Sequence, residues 1–287
     1  MRVSIGITNF SVPGGAAALR HDLIRTAQAA DEWGIDTVWL SDHLLQVDPN
    51  LALENDFLEA YTTLGFLAAA TQRVRLGTMV SGVTFRPPAV LIKAVTALDV
   101  LSGGRAWLGL GAGYHQVEAD MMGLPMPGGA ERFDRLTEAV QIAGRLWSGD
   151  HTPYDGTYYR LQRPVGEPRP LTRGHPPVLI GGMGERRTLP LVAAHADACN
   201  FFDVPDGGAT IRHKLAILRD CCEDIGRDSD DIEKTVSTKL DSQDTAESFA
   251  TRCATLAALG IDHVVVLQDT PWTPSDLARL DTALENH

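Results

Sequence analysis

Eight times along its 287 residues the chain passes from a short apolar segment into a longer stretch with helical apolar spacing. The strand candidates are 3–8, 37–40, 74–80, 106–110, 178–181, 198–202, 235–238 and 263–267, each apolar and bounded by Gly, Asp or other polar residues. The helical stretches between and after them are about 17–33, 57–72, 88–101, 130–148, 185–195, 209–225, 245–259 and 274–285. Such alternation requires parallel strands joined by crossover helices. Eight units in a chain of this length predict a closed (α/β)8 TIM barrel in preference to an open sheet, with 1–287 as a single domain.

One stretch breaks the rhythm. Residues 149–177 hold six of the sixteen prolines, Pro153, Pro164, Pro168, Pro170, Pro176 and Pro177, so this segment cannot be a helix. It is expected to be an irregular insertion between the fourth helix and the fifth strand, with a hairpin near 157–161. A functional lid and inert decoration are both open for it.

Composition narrows the function classes. A net charge of −12 argues against a general role on nucleic acid or an anionic membrane, because neutralising phosphates needs a basic face. No apolar run approaches the length of a membrane span. Met1-Arg2-Val3-Ser4-Ile5-Gly6 enters a strand pattern without a signal-peptide core, so a cytoplasmic location is expected. Cys199, Cys221, Cys222 and Cys253 form no CxxC pair and are expected to be free thiols. No HExxH motif, His-x-His pair or carboxylate cluster supports a metal.

In a parallel barrel the active site lies at the C-terminal ends of the strands. Those ends here collect polar groups and glycines. Asp42-His43 follows the second strand: a histidine suits proton transfer near neutral pH, and the aspartate beside it could tune or orient the ring. A purely structural histidine is the other reading of the same pair. Gly109-Leu110-Gly111-Ala112-Gly113 and Gly181-Gly182-Met183-Gly184 each follow a strand and precede a helical turn. Glycines let a backbone approach a ligand, and amides at a helix start favour an anion, so the two turns could grip one phosphate. Tight turns without a ligand are the alternative. Neither cluster has the acidic partner of a dinucleotide-binding fingerprint.

From Asp99 through Leu101-Ser102-Gly103-Gly104-Arg105-Ala106-Trp107-Leu108-Gly109-Leu110-Gly111-Ala112-Gly113 the chain resembles the luciferase-like monooxygenase superfamily. The likeness continues in Val38-Trp39-Leu40-Ser41-Asp42-His43-Leu44, in Phe85-Arg86-Pro87-Pro88, in Tyr114 and Glu118, and in Gly181-Gly182-Met183-Gly184-Glu185 with Ala196-Asp197. Within that superfamily it resembles the actinobacterial F420-dependent oxidoreductases. The resemblance implies a bulge on the third strand with a non-prolyl cis peptide at Met79–Val80, next to Thr78, supporting a deazaflavin ring. It places the family histidine on His43 and phosphate contacts near Ala112, Gly113, Gly182 and Met183. Two positions depart from the sugar-phosphate dehydrogenases of the group. A glutamate there is Tyr114 here, and a tryptophan there is Val47 here, so the resemblance does not carry glucose-6-phosphate specificity.

What the resemblance implies is an F420-dependent oxidoreductase moving a hydride between the deazaflavin C5 and a small organic substrate, with His43 handling the proton. An FMN-dependent monooxygenase and a non-catalytic F420-binding barrel are the alternatives. Dimers are common in the superfamily, so a homodimer is a further expectation.

Overall fold

The computed structural model describes residues 1–241 and 243–285. The chain opens with β1 (Arg2–Ile7), α1 (Ala16–Glu32), β2 (Thr37–Leu40) and α2 (Ala60–Ala70). Next come β3 (Arg75–Thr78), β4 (Ser81–Gly82) and α3 (Pro88–Ser102). β5 (Leu108–Gly111) is followed by two helices, α4 (Gln116–Met122) and α5 (Gly129–Ser148). A small hairpin, β6 (Tyr154–Asp155) and β7 (Arg160–Leu161), precedes β8 (Val178–Gly181), α6 (Thr188–His195), β9 (Ala198–Phe202) and α7 (Ala209–Asp224). The last elements are β10 (Glu233–Lys239), α8 (Ala246–Ala258), β11 (His263–Leu267) and α9 (Pro274–Glu285).

The strands run parallel in the order β3-β2-β1-β11-β10-β9-β8-β5-β4. The ring closes through one interrupted strand. β3 pairs with β2, β4 pairs with β5, and a parallel bridge joins Leu76 to Ala106, two residues before β5. β3 and β4 are therefore two halves of one barrel position, split by Met79 and Val80, whose peptide is cis. Counted so, the barrel has eight positions and the TIM fold expected from the alternation. β2 and β5 are buried at every residue, because helices cover one face and the barrel interior the other. Helix α1 turns Leu19, Leu23, Ala27 and Ala30 inward at intervals of three and four residues, as a covering helix must.

Several boundaries differ from the sequence expectation. The strand read as 74–80 breaks at the bulge, because the residues that pair with β2 and with β5 lie on either side of it. The helix expected from 185 begins at Thr188, and α4 falls where only a turn was expected. The insertion does carry a hairpin, but its strands begin at Tyr154 and end at Leu161, around the expected 157–161. Two carboxylates fasten the insertion. Glu138 of α5 accepts bonds from the amides of Thr157, Tyr158 and Tyr159. Asp99 of α3 accepts from the amides of Leu171 and Thr172 and from the Thr172 hydroxyl.

The barrel interior is filled by Trp39, Trp107, Leu179, Ala198 and Val265, with Met79, Val80 and Leu267 packed above them. The two indoles lie 5.4 Å apart. Gly77 makes room for them, since a Cβ there would come 2.7 Å from Trp107 Cβ. Below, at the N-terminal ends of the strands, buried His263 bonds Ser4 and, at 2.6 Å, Glu233, which also pairs with Arg2. Among the described residues, no helix is long and apolar enough to cross a membrane.

Candidate active site

Above the two tryptophans a cavity of about 490 Å³ opens at the C-terminal ends of the strands. Asp42, His43, Met79, Val80, Ala112, Gly113, Tyr114, Gly181, Gly182, Met183 and Gly184 all line it. Thr78, the remaining sequence candidate, lies just behind the wall and is fully buried. The structure thus gathers the second, third, fourth and fifth barrel positions around one space. Phe85, Phe133, Phe202 and Leu267 supply apolar walls. None of residues 149–177 is among those that line the cavity.

His43 stands at the mouth with its side chain 14% exposed. Its Nδ1 lies 2.6 Å from Glu118 Oε2 on α4. The other oxygen of Glu118 accepts the Leu44 amide at 2.6 Å and, more weakly, that of Leu45. One buried carboxylate therefore fixes both the ring and the chain that carries it. Burial alone would raise the Glu118 carboxyl, but the bonds from His43, Leu44 and Leu45 outweigh it and hold the group below its ordinary value. With Glu118 ionised, Nδ1 carries the proton and Nε2 is left facing the cavity. There, Tyr114 Oη lies 3.5 Å away. His115 caps α4 by accepting the Glu118 amide at Nδ1.

Asp42 does not orient His43, and this corrects the expectation drawn from their adjacency. Its carboxylate is bound by both terminal nitrogens of Arg86, at 2.6 and 2.9 Å, and accepts the Ser81 hydroxyl at 2.5 Å. Asp42 and His43 both line the cavity, but Arg86 and Ser81 occupy the Asp42 carboxylate, which leaves Glu118 to hold the imidazole. Arg86 also reaches Glu59 at 2.5 Å, and its guanidinium lies over the Tyr61 ring. Burial would lower the guanidinium's proton affinity, but the two carboxylates raise it above the usual arginine value. Tyr61 completes the set with bonds to Ser81 and Thr78, and burial followed by the Asp42 charge keeps its phenol protonated. Thr78 and Ser81 flank the bulge on either side. Asp42, Arg86, Ser81, Tyr61 and Thr78 form a buried polar clasp on the strand break.

The glycines have a use that the sequence did not reveal. A Cβ on Gly111 would come 2.6 Å from Val80 Cγ2, and one on Gly181 would come 3.0 Å from Val80 Cγ1. A Cβ on Gly109 would come 1.8 Å from the Thr78 carbonyl oxygen. These three glycines make room for the bulge. Gly113 and Gly182, with φ of 76° and 114°, are the ones that bend the backbone at the cavity edge in a way other residues resist. Most of the long Asp99–Gly113 signature is structural as well. Arg105 bonds the carbonyls of Ala68, Thr71, Val74 and Ser102 beneath the barrel. Arg86 and Glu118 were visible in the sequence only as parts of family motifs; nothing in their spacing marks them as partners of Asp42 and His43.

A profile described as luciferase-like monooxygenase matches residues 1–269. The F420-dependent glucose-6-phosphate dehydrogenase of Microbacterium testaceum is 34% identical over 221 residues, 77% of this chain and 64% of that protein. The protein of the same name from Kineococcus radiotolerans is 33% identical over 227 residues, 78% of this chain and 65% of that one. The chain thus matches a little under two thirds of the length of these curated relatives. A solved F420-dependent secondary alcohol dehydrogenase, in complex with an F420–acetone adduct, superposes with a TM-score of 0.82. That match is 18% identical, covers 99% of this chain and 98% of that one, and shows the common fold.

Proposed function

The chain belongs to the luciferase-like monooxygenase family, and we propose that it is an F420-dependent oxidoreductase acting on a small organic substrate. The observation that carries this reading is the cavity wall made by Met79 and Val80. The bulge is clasped by the Asp42–Arg86 pair, admitted by Gly109, Gly111 and Gly181, and set on the same cavity as His43. The residues present fit a ring cofactor with a phosphate tail. The bulge of Met79 and Val80, seated on the buried Trp39, offers apolar surface to a ring. The turns at Ala112-Gly113 and Gly182-Met183 bring backbone to the cavity edge, where a phosphate would be held. F420 is favoured over FMN because the curated relatives at a third identity are F420-dependent.

When bound, F420 supplies a two-electron hydride donor and acceptor at C5. The protein's own share is orientation, exclusion of water and proton handling. His43 Nε2 accepts a proton from a substrate hydroxyl or returns one to a substrate oxygen, while Glu118 steadies the imidazolium that forms. Asp42 acts on the cofactor wall, through the clasp. The cytoplasm remains the proposed location, 1–287 the proposed single domain, and a homodimer the proposed assembly.

Titrating the purified protein with F420 and with FMN, following the fluorescence of each, tests the reading. F420 binding in preference to FMN is expected; tight FMN binding without measurable F420 affinity would overturn it in favour of a monooxygenase. Full turnover in His43→Ala would sink the proposed role of the histidine. Cofactor binding with no turnover of any alcohol or carbonyl compound would favour a carrier.

A further inference from the structure

The cavity is poor in positive charge. Among the described residues that line it there is no lysine or arginine. The nearby guanidinium of Arg86 is already engaged by Asp42 and Glu59. Glu118 adds a third carboxylate on the other side of His43, with its side chain fully buried. Asp42, Glu59 and Glu118 outnumber the one guanidinium beside the cavity, a balance that disfavours an anionic substrate. With the two glycine turns given to the cofactor's phosphate, a phosphorylated sugar would find no lysine or arginine among the described lining residues, and its desolvation would be costly. Phe85, Phe133, Phe202 and Leu267 instead offer contact to hydrocarbon.

Within these walls two polar atoms converge. Tyr114 Oη and His43 Nε2 are 3.5 Å apart, with the rings edge to face at 5.7 Å. That separation is long for a hydrogen bond between them, but a single oxygen about 2.8 Å from each could bond both. Glu118 presets the histidine for this, because its bond to Nδ1 leaves Nε2 toward Tyr114.

We infer that the substrate is an uncharged, largely apolar ketone or secondary alcohol whose one oxygen is held between Tyr114 Oη and His43 Nε2. This rests on the proposed F420-dependent reading and narrows it to a substrate class. In the oxidising direction the carbinol C–H bond breaks with its electron pair passing to the cofactor as hydride. The O–H bond breaks with its proton passing to His43 Nε2, and the carbon–oxygen double bond forms. Tyr114 donates to the same oxygen throughout. Reduction of a ketone is the reverse.

The test uses cyclohexanone and glucose 6-phosphate as probes on protein with and without F420, read by NMR of labelled histidine and by calorimetry. Cyclohexanone should perturb the His43 ring and bind, and glucose 6-phosphate should do neither. Tyr114→Phe should weaken cyclohexanone binding about 3- to 10-fold, the scale of one neutral hydrogen bond, and should change F420 affinity less. Binding of glucose 6-phosphate in preference to cyclohexanone overturns the inference, as does unchanged cyclohexanone binding in Tyr114→Phe. Failure of F420 to bind, with cyclohexanone still bound at His43, would remove the cofactor reading and leave the substrate site standing.

Discussion

His43 Nδ1 lies 2.6 Å from Glu118 Oε2, across 75 residues of sequence, and that one bond joins the second strand's end to the helix after β5. The same carboxylate takes the amides of Leu44 and Leu45, so Glu118 sets both the tautomer and the position of the ring. Glu118→Gln should therefore lower turnover about 10- to 100-fold while leaving F420 affinity within about twofold, since a displaced or mis-tautomered base loses much of its 10²–10⁴-fold contribution. Steady-state kinetics beside a cofactor titration would decide it. An equal loss in both would mean that Glu118 only holds the loop.

The same residue predicts an acid sensitivity. Burial raises its carboxyl, but His43 and the two amides lower it further, so the folded value lies below the unfolded one. A group so depressed contributes its stability fully above the ordinary carboxyl range, and loses it as pH falls through the folded value. The urea midpoint of the wild type should drop between about pH 5 and pH 3. In Glu118→Gln the midpoint should start lower and fall less steeply across that interval. Parallel curves for the two proteins would show that Glu118 has no part in the acid transition.

His43→Ala should lower turnover about 10²- to 10⁴-fold, the usual worth of a positioned acid or base. The fold should survive, because the ring sits at the mouth and outside the packed interior. F420 affinity should change less, because its phosphate is proposed to lie at Ala112, Gly113, Gly182 and Met183. Circular dichroism, a thermal melt and a cofactor titration on the same preparation separate these effects.

Much of this was legible before the structure, and the reason is periodicity. Eight apolar segments with helical stretches between them specify a parallel barrel, and the rule that sites lie at the strand ends pointed to His43 and the glycine turns. Pairings across the barrel were not legible. Asp42 is next to His43 in sequence and bonds Arg86, while the partner of His43 is on α4. Adjacency misled because Arg86 and Ser81 occupy the Asp42 carboxylate, while the His43 ring is met by a carboxylate 75 residues further on. Two His–carboxylate pairs among the described residues are as close as 2.6 Å, and their place in the barrel tells them apart. His43–Glu118 is at the open end, whereas His263–Glu233 is at the closed end with Ser4, where His263 and Ser4 have no exposed surface. The packing role of glycines 109, 111 and 181 was not legible because what they accommodate, the Thr78 carbonyl and Val80, belongs to another barrel position.

The clasp makes a prediction of its own. Arg86→Met leaves the buried Asp42 carboxylate without its guanidinium, and removing one partner of such a pair costs about 3–5 kcal/mol. Asp42→Asn combined with Arg86→Met should recover a large part of that loss, because the buried charge is then gone and the guanidinium's other partner, Glu59, is partly exposed. Chemical denaturation of the two proteins gives the comparison. Equal stability of the single and double variants would show that the stranded charge is not the source of the cost.

The bulge offers the sharpest contrast, because two neighbouring glycines face different obstacles. In Gly111→Ala the new Cβ meets Val80 Cγ2, the end of a side chain. Overpacking of this kind costs about 1–3 kcal/mol, and the strain should push Val80 into the proposed ring site and weaken F420 binding. Val80→Ala removes the obstructing methyl, so the double variant Gly111→Ala with Val80→Ala should regain stability and cofactor affinity relative to Gly111→Ala. In Gly109→Ala the obstacle is the Thr78 carbonyl oxygen, which is backbone and cannot be trimmed. Gly109→Ala should therefore be the more damaging of the two and should gain little from Val80→Ala. Melting temperatures and F420 dissociation constants for the five proteins, wild type included, test the pair of claims together. Rescue of Gly109→Ala to the same extent as Gly111→Ala would mean that Val80, and not the backbone of the bulge, is what both glycines accommodate.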